Sequence, residues 1–111
     1  MMAKQPRELL LEHVRFELKA KSGGGLLSYE VWGYRSQGKV VVTRYNLAWI
    51  NHAMFAGDNG RVLGFDNAHG THHRHRVGKV EDVEFESFEA TQDRFSREWQ
   101  EMVKQGKGRK P

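Results

Sequence analysis

The 111-residue chain carries 18 Lys and Arg against 14 Asp and Glu, with six His and no Cys. A chain this short buries only roughly 65% of its unfolded surface, which leaves room for one hydrophobic core and not two. The missing cysteine excludes a disulfide framework, a thiolate zinc site and a Cys nucleophile, and it fits a reducing cytoplasm.

The N-terminal run MMAKQPRELLLEH meets Glu8, Glu12 and His13 before the apolar core of a secretion signal could form. No stretch nears the ~18 apolar residues of a membrane-spanning helix, so a cytoplasmic protein without membrane contact is expected. The first apolar run fits two patterns. Leu10, Leu11, Val14 and Leu18 line a helical face, whereas Leu10, Val14, Phe16 and Leu18 share one face of a strand, and the strand reading is preferred.

After Gly23, Gly24 and Gly25 the apolar runs recur about every dozen residues with turn formers between them, the rhythm of a sheet. In the run from 26 to 34, Leu27, Tyr29, Val31 and Gly33 share a side. From 40 to 50 the odd positions Val41, Tyr45, Leu47 and Trp49 form the apolar side, leaving Arg44 and Asn46 opposite. Gly57, Asp58, Asn59 and Gly60 mark a turn, a strand follows over 61–65, and Asp66, Asn67 and Gly70 interrupt it. A further strand is expected over 73–78, recovering at 83–86. The last segment reads as a helix, because Phe88, Phe95, Trp99, Met102 and Val103 fall on one face, with Ser87 as N-cap and Gly106 as its close. These elements predict an α+β fold: one antiparallel sheet of about five strands packed against a C-terminal helix, as a single domain over 1–104 with a basic, mobile tail over 105–111.

Charge is segregated along the chain. Residues 69–79, HGTHHRHRVGK, hold four histidines with Arg74, Arg76 and Lys79 and no acid, whereas 81–101 hold eight acids against Arg94 and Arg97. On a strand, His73 and His75 point one way and His72, Arg74 and Arg76 the other. Three readings of this stretch stay open. His73 and His75 with His69 and Asp66 offer donors to a metal, although the guanidinium groups repel a dication. Alternatively, guanidinium groups fork onto phosphate oxygens and imidazoles move protons near neutral pH, the chemistry of RNA cleavage through the 2′-hydroxyl without a metal or other cofactor. In the third, the histidines form a plain wet sheet face. The RNA reading makes His73, Arg74, His75 and Asp66 the catalytic set. It assigns Asn67, His69, His72, Arg76, Lys79 and Arg44 to nucleic-acid contact, with exposed aromatics, Trp32 first among them, available for base stacking.

The stretch GRVLGFDNAHGTHHRHRVGKVEDVEFESFE resembles the TumE family of toxin components of prokaryotic toxin–antitoxin systems, most strongly over residues 60–100. The likeness lies in the order Gly60, strand, Asp66-Asn67, a Gly-containing turn, His73-Arg74-His75, then a Val-Glu-Phe segment leading into Ser-Phe-Glu. It implies kinship with the RelE and ParE superfamily, a DNA-binding antitoxin as partner, and RNA, the ribosome or gyrase as target. The expectation is therefore a cytoplasmic toxin that binds or cleaves RNA. A non-catalytic nucleic-acid-binding module or a metal-binding module is the alternative.

Overall fold

A computed structural model describes residues 7–107. Among the described residues six strands, β1 (Leu9–Glu17), β2 (Leu26–Ser36), β3 (Lys39–Ile50), β4 (Arg61–Asp66), β5 (His73–Arg76) and β6 (Lys79–Asp82), form one antiparallel sheet in sequence order, followed by one α-helix, α1 (Phe88–Lys107). The fold is the expected α+β arrangement with one strand more than foreseen. The extra strand arises at Val77 and Gly78. Both lie at positive φ (46° and 82°) between the paired residues Arg76 and Lys79, the two-residue geometry that closes a tight hairpin. The chain therefore turns back where a continuous strand was expected, and residues 83–86 form a connection to α1 and no strand.

Alternation sorts the sheet into two faces. Leu27, Tyr29 and Val31 on β2, Tyr45, Leu47 and Trp49 on β3, and Leu63 and Phe65 on β4 lie on the helix side. Phe95 of α1 is fully buried among them, edge-on to both Tyr29 (5.8 Å) and Phe65 (6.3 Å), and Phe88, Trp99, Met102 and Val103 complete the apolar stripe. Burying such side chains is worth about 2–3 kcal/mol each, which fixes the helix to the sheet. Ser87 caps α1, its Oγ accepting from Ala90 N at 3.0 Å. The helix runs on through Gly106 to Lys107, so residues 105–107 of the expected tail are helical, while 108–111 lie outside the described residues.

Three irregularities reverse the face of individual residues. The register shifts between Leu10 and Glu12, so Leu10 pairs with Trp32 on the side away from α1, whereas Val14 pairs with Tyr29. A second shift, at Trp32/Gly33, brings Val42 to the core in place of the expected Val41. The third, between Trp49 and Ile50, pairs Ile50 with Arg61 and turns Arg61 to the open face. Among the described residues, no helix is long and apolar enough to cross a membrane.

Candidate active site on the open sheet face

The sheet face opposite α1 forms a groove of about 580 Å³ lined by Trp32 and Glu30 of β2, Arg44 and Asn46 of β3, Arg61 and Asp66 of β4, His69 in the following turn, and His73 and His75 of β5. Antiparallel register assembles it: Asn46 pairs with Asp66, Asp66 with His73, and Gly64 with His75. Gly64 has a definite role here. A Cβ at this position would lie 2.6 Å from Arg61 Cδ, so the missing side chain is the space through which Arg61 crosses β4.

Asp66, 8% exposed, is the centre of the cluster. Its Oδ2 lies 2.7 Å from His75 Nε2 and 3.5 Å from Arg61 Nη1; its Oδ1 lies 3.7 Å from His73 Nδ1 and accepts from Ala68 N at 3.0 Å. Arg61 Nη2 lies 3.0 Å from His75 Nδ1, and its Nε and Nη2 also donate to Asp58 at 2.8 and 3.1 Å. A guanidinium can only donate, so His75 Nδ1 is the acceptor and the ring proton sits on Nε2. That proton faces Asp66 off the hydrogen-bonding axis, leaving Nε2 buried without a hydrogen bond despite the short separation.

His73 is held differently. Its Nε2 meets the Thr71 hydroxyl at 2.8 Å and Asp82 Oδ1 at 3.3 Å, and Asp82 is almost wholly exposed. Nδ1 therefore faces the interior carboxylate while Nε2 faces groups at the solvent edge, the orientation of a proton carrier backed by an orienting acid. His69, at φ 62° in the turn after β4, is exposed at the groove. Among the described residues, no group of three or more His, Cys, Asp or Glu is arranged to hold a metal ion.

At the other end of the groove, Arg44 stacks over Trp32 with its guanidinium carbon 4.5 Å from the ring centroid. Glu8 fixes it: Arg44 Nη2 donates to Glu8 Oε1 at 2.9 Å, and Thr43 Oγ1 donates to Glu8 Oε2. The Thr43 hydrogen bond, with the Arg44 charge, holds the Glu8 carboxyl below its ordinary range.

Other expected site residues lie elsewhere. Arg74 pairs with Phe65 and so faces α1, where it donates through Nε to Glu98 (2.7 Å) and through Nη1 to Glu81 (2.8 Å). It does not join His73 and His75, because neighbours on a strand point to opposite faces. Burial opposes the Arg74 charge, but the bonds to Glu98 and Glu81 prevail and raise its pKa. His72 also leaves the set. Its ring stacks on Phe85 at 3.9 Å, and its Nδ1 lies 2.8 Å from the Tyr45 hydroxyl. Asn67 is structural, its side chain accepting from Tyr45 N and donating to Thr43 O, both at 2.9 Å, where the β3–β4 ladder ends. Arg76 and Lys79 flank the β5–β6 turn outside the groove.

Arg61 and Gly64 escaped the sequence reading. Strict alternation puts odd-numbered Arg61 opposite Gly64 and Asp66, and only the bulge reverses it. The sequence cue was an arginine right after the turn formers Asp58-Asn59-Gly60, ending a loop and able to reach back to Asp58.

No family model matches the chain, and no curated protein or solved structure matches it. The site's chemistry thus rests on its own geometry.

Proposed function

We propose that this protein is the toxin of a toxin–antitoxin pair and that it cleaves RNA by acid–base chemistry on the open face of its sheet. The observation that supports this reading is the convergence of Asp66, His73, His75 and Arg61 on one groove whose far end carries a Trp–Arg stack. In this reading His73 takes the proton from a ribose 2′-hydroxyl, and the oxygen attacks the adjacent phosphorus. The 5′-oxygen leaves with a proton returned by His69, giving a 2′,3′-cyclic phosphate and a 5′-hydroxyl. Asp66 lies behind His73, 3.7 Å from its Nδ1. His75 and Arg61 are positioning residues that hold Asp66, and Arg61 places positive charge beneath the groove. The resemblance over residues 60–100 to TumE toxins adds a DNA-binding antitoxin as the controlling partner and the cytoplasm as the place of action.

Expression of the chain alone, and with the product of the adjacent reading frame, tests this. Growth arrest relieved by the neighbour, with fragments bearing cyclic phosphate ends, is expected. His73→Ala should abolish both arrest and cleavage. Harmless overexpression without RNA products overturns the proposal, and salt-sensitive RNA binding without products leaves the non-catalytic binding module in its place.

A further inference from the structure

We infer that the Trp32–Arg44 stack is a base-binding subsite, and that the groove therefore takes single-stranded RNA with an unpaired base lying on the Arg44 guanidinium. This rests on the reading of the groove as an RNA site.

Trp32 and Arg44 are register partners on β2 and β3, so both project from the open face at the same level. One guanidinium face lies on the indole and one edge is held by Glu8, yet the Arg44 side chain remains 54% exposed. Trp32 and Glu8 thus hold the guanidinium in place while about half of the side chain stays open to solvent. An arginine fixed in this way presents a flat, charged surface of the kind on which nucleobases stack. Arg74, held between Glu81 and Glu98, is by contrast covered, its side chain 15% exposed.

Distance fits the assignment. Arg44 is two positions along β3 from Asn46, the register partner of Asp66, so its Cα lies roughly 8 Å from that of Asp66 by strand geometry. A base on Arg44 then sits beside the His73 cluster and not on it, as a neighbour of the scissile phosphate would. A duplex cannot use the platform, because its bases are stacked on each other and closed to a side-chain face. Glu8 becomes a positioning residue that acts through Arg44.

Binding of a short fluorescent RNA whose 2′-hydroxyls are replaced by fluorine, and which cannot be cleaved through a 2′-oxygen, separates this inference from the catalytic one. The wild type and Arg44→Lys are compared on that strand, on the same strand with one abasic position walked along it, and on its duplex. Arg44→Lys keeps the charge and loses the planar stacking face. The wild type should lose about tenfold in affinity at one abasic position and bind the duplex more weakly, whereas Arg44→Lys should bind the intact strand about tenfold more weakly and be indifferent to that position. Glu8→Gln should fall between them. Equal loss at the abasic position in wild type and Arg44→Lys, or no loss in either, overturns the subsite while leaving RNA binding intact. No binding of any strand overturns the subsite and the RNA reading together, and unchanged melting temperatures establish that each variant is folded.

Discussion

Arg61 and His75 are bound through one another: Nη2 of the arginine donates to Nδ1 of the histidine over 3.0 Å, and both then close on the same oxygen of Asp66. The passage between them runs over Gly64, so the cluster depends on a side chain that is not there. Gly64→Ala should fold, because the added methyl first meets the Arg61 side chain, 2.6 Å from Cδ, and Leu47 O at 3.2 Å asks the β3 backbone to give by only a few tenths of an ångström. It should nevertheless displace Arg61 and reproduce the activity loss of Arg61→Ala. Parallel melting curves and RNA-cleavage assays check this, and a fully active Gly64→Ala protein would remove Arg61 from the site.

Arg74 gives the opposite expectation. Its removal leaves Glu98, itself largely buried, without its partner on β5, so Arg74→Ala should lower stability by about 2 kcal/mol in urea titrations. Folded protein at low temperature should keep its cleavage rate. A catalytic Arg74 would show the reverse, a lost rate with an unchanged unfolding midpoint.

His72 makes stability depend on pH. Burial first, and the neighbouring His73 charge second, hold its pKa below the ordinary 6.5. The unfolded chain therefore takes up this proton before the folded chain does, and stability is at its full value above 6.5. It declines as pH falls from there and levels off below the folded pKa. His72→Phe, which keeps a ring against Phe85, should flatten this part of the melting-temperature profile between pH 7.5 and 5. Tyr45, whose hydroxyl burial pushes up to about 12, stays protonated throughout that range and contributes no slope.

Phe95 is the helix residue that is fully buried against the sheet. Phe95→Ala empties the contact with Tyr29 and Phe65 and should cost about 3–5 kcal/mol, enough to threaten folding in a domain of this size. Phe95→Leu should cost under half as much. Circular dichroism melts of the two variants test whether the helix is anchored at this ring.

Strands and helix were readable because their periods of two and 3.6 persist over long stretches, and the stripe from Phe88 to Val103 packs as its spacing implies. What escaped was local. Each of the three register shifts moves side chains across the sheet without a cue in composition, and thereby altered the faces of Leu10, Val41, Val42 and Arg61. The tight turn at Val77 and Gly78 was hidden because a β-branched residue seldom adopts positive φ. At the site, the separation of His73 and His75 from Arg74 followed from alternation, yet adjacency in sequence had grouped all three. The imidazoles also prove less prominent than a cationic patch requires. They are seated on Asp66 and look into the groove from its floor.

Strand β5 is gripped from both sides, its histidines by Asp66 on one surface and Arg74 by Glu98 of the helix on the other. These four residues thus join the floor of the groove to the helix side, so the seating of the imidazoles and the seating of Glu98 rest on one short strand.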